Sequence, residues 1–512
     1  MFNFRHIIIL YSFFTLSYLS ITGCNDNNNL IPDNDTTVTD TTHKKNVSNL
    51  TLTQSVNENI ATLTATATNA NSYSWDFGNG DTGSGESVQV TYRALGNYWA
   101  KCTAIGTTDS LIDSIKVTIK PKPEFLYKEP QRPFPQHQQY YSEVIMPNVE
   151  QSVMDAKVIS FYRQWRNKYL KTFHDSMAYV HYTLEYSVGN AISCSEGHGF
   201  GMVITALMAG ADTTAYNDYI KLYRWYDNHR SHINPSLMAW QQNSSGQNSS
   251  GADSATDGDL DIAYSLLLAH YQWGSNGDVD FLNEAKKIIE AIYNSDISPT
   301  YKFTELGDWV NSGKYSRSTR CCDFMIDHLR AFKNETNNPK WDEIIDTTYN
   351  VISYVADSIT GLYPDFVIVE DGKFKPCPPN FLEGPNDGDY YFNSCRAPWR
   401  IATDYIVNGD TRALQELTRL NRWIIEKTDN KPYKIKEGYK LNGTQLSSWS
   451  DMAFTSPFGV CAMIDNENQQ WLNDMWSQIN SESLNSGAYF GNSIKMICLI
   501  TMSGNWWKPQ TK

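Results

Sequence analysis

Residues 255–273, which read ATDGDLDIAYSLLLAHYQW, decide the fold class of this chain. The apolar residues of the second half recur at the i, i+3, i+4 spacing of a helix. Three aspartates, Asp257, Asp259 and Asp261, precede that run. Alone they fit a helix start, with Thr256 or Asp257 as N-cap and the others in the first turn. The spacing alone would also allow a calcium loop, but the Gly and terminal Glu positions of an EF-hand do not match, which favours the helix start.

The same helical spacing continues from about residue 125 to the end of the chain, in roughly ten to twelve segments separated by Gly-, Pro- and Asn-rich loops. Pro121-Lys122-Pro123 marks where it begins. We see no repeat of fixed period, which lowers the case for a solenoid. The prediction for residues 125–512 is therefore an all-α helical barrel.

Residues 48–120 follow a different pattern, with alternating runs such as Ala61–Ala67 and Ser87–Tyr92 between Gly- and Asn-containing turns. That pattern predicts a small all-β sandwich of the immunoglobulin type. The stretch Ser74–Asp81, SWDFGNGD, resembles the motif of the PKD domain, with Asn79 as a departure from it. In exported enzymes such domains serve as spacers or weak polysaccharide binders, and we favour the spacer.

The first 24 residues have the form of an export signal. Arg5 and His6 precede a short apolar run, and the segment ends in Ile21-Thr22-Gly23-Cys24. The run is too short for a membrane span and fits a signal peptide. Its end resembles a bacterial lipobox, in which Cys24 becomes lipid-modified; an ordinary signal peptide is the alternative. Residues 25–47 are polar and acidic and predict a flexible tether. The expectation is an exported protein that is lipid-anchored to the bacterial outer membrane, with surface exposure as one outcome.

The composition indicates which classes of ligand the chain can bind. A net charge of -14 and a pI near 5.2 argue against nucleic acid, which needs basic patches. The 15 Trp and 31 Tyr suit stacking on flat ligands such as sugars. Eight cysteines follow Cys24 without any CxxC pair, so no zinc site is expected. We expect most of these cysteines to be buried, and disulfide pairing stays open.

The stretch Ser195–Met202, SEGHGFGM, places one acid beside three glycines just before an apolar helix. Glycine allows close approach of backbone or ligand. Taken alone, Glu196 fits the common role of a helix-dipole partner, although the same setting could supply a desolvated general acid.

Taken together, SEGHGFGM and ATDGDLDIAYSLLLAHYQW resemble glycoside hydrolase family 8. Further stretches agree with the resemblance, which spans roughly residues 130–508: Trp165–Leu170, Asn234–Trp240, Asp323–Arg330, Arg396–Arg400 and Met502–Trp507. It implies an (α/α)6 barrel that hydrolyses β-1,4 glycans with inversion and needs no cofactor or metal. Inversion uses two carboxyl groups about 6.5–9.5 Å apart. By the resemblance Glu196 is the general acid and Asp257 positions the sugar, whereas Asp259 and Asp261 are structural.

The general base is not at its usual position. Many family members have an Asp three residues before the first Arg of R-x-P-W-R, where this chain has Asn393. An amide is too weak a base to deprotonate water. One branch of the family shares this Asn and takes its base from a Glu about ten residues upstream. That predicts Glu383 as base and Asn393 as the group that orients water, with Asp387 and Asp389 as fallback bases.

This branch is associated with mixed-linkage β-glucan, chitosan and β-1,4-glucan, and Asn393 lowers xylan in rank. Trp240, Tyr264 and Arg396 are predicted to bind substrate, with Trp309 as a weaker candidate. For each aromatic the alternative is a core role. Two rival functions remain: a non-catalytic polysaccharide-binding lipoprotein that has lost its base, and, more distantly, a uronate lyase.

Overall fold

The structure is a computed structural model, and it describes residues 46–510 except 58–59, 93–95, 120–125, 183–189 and 485–488. Cys24, the signal segment and nearly all of the tether lie outside the described residues. The chain divides into two compact units, with the division between residues 123 and 124. In the described part of the chain, no helix is both long and apolar enough to span a bilayer.

The N-terminal unit is a β-sandwich of seven described strands. One sheet has the order β1-β2-β5 and the other β4-β3-β6-β7, and all neighbours are antiparallel. This confirms the predicted immunoglobulin-like sandwich. The strands are β1 Ser48–Asn57, β2 Ile60–Thr68, β3 Ser72–Asp76, β4 Thr82–Ser84, β5 Ser87–Thr91, β6 Gly96–Ile105 and β7 Ser110–Ile119.

The SWDFGNGD motif ends β3 and forms the turn into β4. Trp75 is buried in the core, and its indole N–H donates to the carbonyl of Gly85 at 3.0 Å. Asn79, the departure from the usual motif, accepts a hydrogen bond from the backbone N–H of Asp81 at 2.9 Å. The Asn side chain therefore closes the turn locally.

The C-terminal unit contains twelve α-helices among its described residues. They are α1 Gln151–Tyr169, α2 Ser195–Leu207, α3 Ala215–Asn228, α4 Thr256–Trp273, α5 Phe281–Ser295, α6 Ile326–Thr336, α7 Lys340–Val355, α8 Ala397–Asn408, α9 Thr411–Thr428, α10 Met452–Cys461, α11 Gln469–Ser481 and α12 Tyr489–Met502.

The even-numbered helices form a closed inner ring. Each contacts the next in the order α2, α4, α6, α8, α10, α12, and α12 returns to α2. Each odd-numbered helix packs outside an inner neighbour, as α5 does on α4 and α9 on α8. This is the predicted (α/α)6 barrel.

Hydrophobic pattern explains the two layers. Helix α12 is buried along its whole length and α4 along nearly all of it, as expected for helices apolar on every side. Helices α5 and α9 bury one apolar stripe and expose the opposite face to water.

Glycines in the stretches SEGHGFGM and ATDGDLDIAYSLLLAHYQW allow α2 and α4 to pack closely against each other. A Cβ on Gly258 would lie 2.6 Å from the backbone carbon of Ser195, and one on Gly199 would lie 3.1 Å from the carbonyl oxygen of Gly258. No larger residue fits at either position without moving a helix.

Short strands extend from the barrel. Strand β10 runs directly into α2 and pairs with β11, which pairs with β12; β13, β14 and β15 form another sheet, and β8 pairs with β9. Their bounds are β8 Leu170–Phe173, β9 Met177–Val180, β10 Ala191–Cys194, β11 Ala239–Asn243, β12 Asn248–Ser254, β13 Ser318–Arg320, β14 Phe366–Glu370 and β15 Lys373–Pro376.

Candidate active site

The candidate residues meet at the N-terminal ends of the inner helices. Glu196 is the second residue of α2, and Asp257 is the second residue of α4. Asn393 immediately precedes the short 3-10 turn Ser394–Arg396 that leads into α8. Helix N-termini carry partial positive charge and favour anionic side chains there.

Arg396 joins these residues at the centre of the site. One terminal nitrogen donates to Glu196 at 2.6 Å and to Asp257 at 3.0 Å. The other donates to the side-chain oxygen of Asn393 at 3.0 Å. The guanidinium is buried, so its charge acts on both carboxylates in a poorly solvated setting. Arg396 was predicted to bind substrate; the structure places it among the catalytic candidates.

Glu383 lies on the other side of Asn393. The amide N–H of Asn393 donates to Glu383 Oε2 at 2.8 Å. Because Arg396 donates to the amide oxygen, the amide nitrogen must face Glu383. The structure thus brings together the two residues that the sequence paired across ten positions.

The two fallback acids occupy different places. Asp387 is buried and accepts backbone N–H bonds from Leu382 at 2.8 Å, Glu383 at 3.0 Å and Gly384 at 2.9 Å. Its carboxylate therefore shapes the loop that presents Glu383. Asp389 is half-buried, and its backbone carbonyl accepts from the N–H of Asp365 at 2.8 Å.

Asp365 binds the backbone of Asn393 and of the residue that follows it. Its carboxylate accepts from the backbone N–H and the hydroxyl of Ser394, both at 2.7 Å, and from the backbone N–H of Asn393 at 3.1 Å. Burial raises the pKa of Asp365 to about 7 against these hydrogen bonds. The residue holds the turn that aims Asn393.

Glu196 has the environment of a general acid. Burial raises its pKa above the usual range, while Arg396 opposes the shift. The hydroxyl of Tyr489, at the start of α12, donates to the other oxygen of Glu196. A Cβ at Gly197 would lie 2.9 Å from the Tyr489 ring, so the glycine leaves room for this contact.

Asp257, in contrast to Glu196, is held in its ionised form. Burial disfavours its charge, but the guanidinium groups of Arg320 and Arg396 outweigh that effect and hold its pKa below the usual value. Arg320 lies 3.3 Å from Asp257 Oδ1. Glu196 and Asp257 are thus two neighbouring carboxyl groups whose surroundings push their pKa values apart, so that Glu196 can hold a proton while Asp257 stays ionised.

The other two aspartates of the α4 motif are structural. Asp261 is fully buried and pairs with Arg400 of α8, at 2.5 Å, and with His328 of α6, at 2.9 Å. Asp259 accepts the backbone N–H of Met238 at 2.9 Å. The N-cap position is held by Ala255, so the predicted capping by Thr256 or Asp257 is wrong.

The aromatic residues predicted to bind substrate differ in how far they are buried. Tyr264 is fully buried, its ring stacked on His328 with centroids 3.8 Å apart and its hydroxyl bonded to Asp327. It has no face open to a sugar, which corrects the substrate-binding prediction. Trp240 and Trp309 are only half-buried. Trp240 lies on β11, which pairs with the strand that leads into Glu196.

Four residues of the site were missed by sequence reasoning: Arg320, Cys322, Asp365 and Tyr489. Each comes from a segment remote in sequence that the closed ring brings to the same end of the barrel. Cys322 was visible only as one of two adjacent cysteines. Its thiol lies near Asp257 and Asp323, and these three side chains have a spacing that could hold a metal ion. All eight cysteines of the described residues are buried and free.

Comparisons with known proteins match both units of the chain. Residues 142–504 match the profile of glycosyl hydrolases family 8, and residues 38–119 match that of the PKD domain. A β-glucanase of Niallia circulans is 48% identical over 387 residues, which is 75% of this chain and 93% of that protein. An endoglucanase of Bacillus sp. (strain KSM-330) is 37% identical, covering 74% of this chain and 82% of that protein.

Among solved structures, a β-1,3-1,4-glucanase from Paenibacillus sp. X4 has a TM-score of 0.72 and 47% identity, over 74% of this chain and 100% of that one. Rex8A from Paenibacillus barcinonensis, solved with xylose, has a TM-score of 0.61 at 16% identity, over 71% of this chain and 96% of that one. At that identity the likeness to Rex8A shows the fold alone.

Proposed function

The chain belongs to glycosyl hydrolase family 8, and from that premise we propose that it is an inverting endo-hydrolase of mixed-linkage β-1,3-1,4-glucan. The observation that carries the proposal is the hydrogen bond between Asn393 and Glu383, with Arg396 joining Asn393 to Glu196 on the other side. A carboxylate is therefore present where Asn393 alone would leave the site without a base. The most similar relatives described above act on β-glucans by their names, which favours that substrate over chitosan and xylan.

In the proposed reaction Glu196 donates its proton to the glycosidic oxygen as the bond to the anomeric carbon breaks. Water attacks that carbon from the opposite face, and Glu383 takes its proton. Asn393 orients the water, and Asp257, held ionised by two guanidinium groups, accepts hydrogen bonds from the sugar. Afterwards Arg396 and Tyr489 stabilise the ionised Glu196 until it is reprotonated.

The two carboxyl groups lie at opposite ends of one chain of hydrogen bonds. Glu196 and Glu383 are linked through an intervening guanidinium and an intervening amide rather than by a direct contact. The proposed inversion requires a separation of about 6.5–9.5 Å between them, because a water molecule must fit between the base and the sugar. Half-buried Trp240, beside the strand that leads into Glu196, is the proposed stacking platform for a sugar ring.

The test is reducing-end release by the purified chain from barley β-glucan, carboxymethyl cellulose, chitosan and xylan. We expect β-glucan to be cleaved fastest, with NMR detecting the α-anomer first. Glu383→Gln should lower kcat by about 10²–10⁴-fold, the usual contribution of a general base. Asp389→Asn, a change of another acid in the same loop, should retain activity.

Each alternative has its own outcome. Fastest release from chitosan would replace the substrate, and initial release of the β-anomer would replace the mechanism. Binding of β-glucan without release from any substrate would replace the hydrolase by a polysaccharide-binding protein.

We also propose that the chain is exported and anchored to the outer membrane through lipid on Cys24, because the lipobox-like Ile21–Cys24 follows a short apolar run. Fractionation after labelling with a clickable palmitate analogue tests this. The label should appear in the membrane fraction with the wild-type chain and disappear with Cys24→Ala. Equal labelling of Cys24→Ala would contradict the anchor.

A further inference from the structure

Trp449 lies in segment 429–451, which joins α9 to α10, and the proposed reaction gives it no role. Its side chain is 60% exposed. All the other tryptophans among the described residues of the C-terminal unit are buried or half-buried. Trp is enriched where ligands and partners bind, because its flat apolar ring offers a large stacking surface. The exposed ring of Trp449 therefore suits a ligand with a flat apolar face.

The backbone that carries Trp449 is fixed. Its N–H donates to the hydroxyl of Ser447 at 3.1 Å, and its carbonyl accepts from the N–H of Glu437 at 3.0 Å. Ser447 in turn donates to the carboxylate of Glu437 at 3.2 Å, and the hydroxyl of Ser450 donates to the carbonyl of Ile435 at 2.6 Å. The ring is thus exposed on a rigid support, so less conformational entropy is lost when a ligand stacks on it.

Segment 429–451 is joined to the loop that leads to the candidate site. Tyr390 and Tyr439 exchange two backbone hydrogen bonds, each 2.9 Å long. Tyr390 stands shortly before Asn393 in the chain, and α10 begins directly after the segment. Trp449 therefore lies at the end of the barrel that holds the candidate active site.

Trp449 and Trp240 lie on opposite sides of that end. The inner helices form one closed ring in the order α2, α4, α6, α8, α10, α12, so α10 stands opposite α4. Trp240 is in the segment before α4, and Trp449 is in the segment before α10. A line from α4 to α10 leaves α2, which carries Glu196, on one side and α8, which Asn393 precedes, on the other. A polysaccharide along that line passes between the proposed acid and the proposed water-orienting group, as inversion requires.

We propose that Trp449 is a stacking platform for a β-linked glucan chain, and that it binds sugar units further along the chain than those between Glu196 and Glu383. The equatorial hydroxyls of β-linked glucose leave both faces of each sugar ring lined by C–H bonds, which pack on an indole. Trp240 and Trp449 then bind the chain on either side of the cleaved bond, which favours internal cleavage of long chains. The inference rests on the proposed function and adds a second binding position to it.

The test measures binding with hydrolysis switched off. Glu383→Gln in the full chain is the background, and isothermal titration calorimetry gives the Kd of mixed-linkage gluco-oligosaccharides from trisaccharide to decasaccharide. Adding Trp449→Ala should raise the Kd of the longest oligosaccharides about three- to tenfold, the range expected for one aromatic contact. The Kd of the trisaccharide should stay the same, because a chain held beside Glu196 ends before it reaches Trp449.

Kinetics of the active chain provide a second readout. Trp449→Ala should raise KM on barley β-glucan by the same factor and leave kcat within about twofold, because the lost interaction is equally present in the ground state and the transition state. Trp449→Phe keeps an apolar ring at the same position and should recover part of the affinity for long chains.

Trp99→Ala is the matched control. Trp99 lies on β6 of the N-terminal unit and is 62% exposed, so the variant removes an equally exposed tryptophan outside the barrel. Its Kd values and its KM should match those of the parent chain. All three Trp variants should melt close to the wild-type temperature, because exposed side chains contribute little to stability.

Equal weakening at every chain length, or no weakening at any length, would overturn the proposal, and so would an equal effect of Trp99→Ala. The wild-type chain could instead cleave none of the glucans while the Glu383→Gln series still shows a loss confined to long chains. In that case the stacking site stands and the proposed hydrolysis falls.

Discussion

Asn393 carries no charge, and its side-chain amide makes two hydrogen bonds of fixed direction. Its nitrogen donates to Glu383 at 2.8 Å, and its oxygen accepts from Arg396 at 3.0 Å. Asp365 Oδ2 lies 3.4 Å from the amide nitrogen of Asn393. An aspartate at position 393 would therefore place a third carboxylate between those of Glu383 and Asp365. The amide is thus the neutral partner that lets another residue carry the negative charge of the base.

Asn393→Asp should therefore impair the enzyme. We expect kcat/KM on β-glucan to fall at least about tenfold, because a hydrogen-bond donor to the base is replaced by a like charge. The acidic limb of the pH profile should move to higher pH, since neighbouring negative charge makes the base harder to ionise.

Asn386→Asp is the matched control. It adds the same charge to the same loop and leaves the amide beside Glu383 in place. Full pH–rate profiles of both variants provide the measurement. Wild-type activity in Asn393→Asp would show that the amide is dispensable and that the new carboxylate can act as base.

The pH dependence of the acid can be argued from Tyr489. Glu196 must be protonated to act, so activity should be lost as pH rises through its raised pKa. The Tyr489 hydroxyl bonds to the ionised form and lowers that pKa. Tyr489→Phe should therefore move the alkaline limb of kcat/KM to higher pH.

Tyr182→Phe is the comparison for that experiment. The Tyr182 ring packs edge-on against Tyr489, and its hydroxyl accepts a hydrogen bond from Gln241 at 3.0 Å rather than donating to Glu196. Its alkaline limb should match the wild type. A shift of equal size in both variants would indicate general loosening of the site rather than loss of one hydrogen bond.

At the scale of elements, the close approach of α2 to α4 sets the positions of Glu196 and Asp257. Gly258→Ala would place a methyl group 2.6 Å from the backbone of Ser195, and backbone cannot rotate away as a side chain can. We expect the free energy of unfolding to fall by about 1–3 kcal/mol, the usual cost of overpacking. Urea denaturation of the C-terminal unit measures it.

Gly384→Ala serves as the control for added methyl volume, because no atom lies within 4 Å of its would-be Cβ. Its free energy of unfolding should change by less than about 1 kcal/mol. Similar losses in both variants would mean that the α2–α4 contact is not specially tight.

The predictions made from the sequence also differ in accuracy from one element to another. The helical spacing predicted a helical barrel, and the family resemblance of the two quoted motifs added its (α/α)6 form and the candidates Glu196 and Asp257. Tyr264 was misassigned because an aromatic one turn beyond the motif looks the same from sequence whether it faces a cleft or the core; in a helix buried nearly throughout, it faces the core. Arg320 and Asp365 were missed because only ring closure places them beside residues far away in the chain.

At the scale of the whole molecule, the chain consists of two compact units, and every residue of the candidate site belongs to the second. The inner ring of that unit is closed by its own helices, with α12 returning to α2. We expect residues 126–512 to fold alone and to hydrolyse soluble β-glucan with kcat/KM within about twofold of the chain from residue 25, a difference of less than about 0.5 kcal/mol.

Calorimetry and kinetics on the shorter and the longer chain check this together. The longer chain should show an additional unfolding transition that the shorter one lacks, because compact domains with their own cores unfold as separate cooperative units. The PKD-like unit would then act as a spacer toward soluble substrate. A loss of tenfold or more in kcat/KM with an unchanged transition for the barrel would instead assign that unit a direct part in substrate capture, since stability could no longer explain the loss.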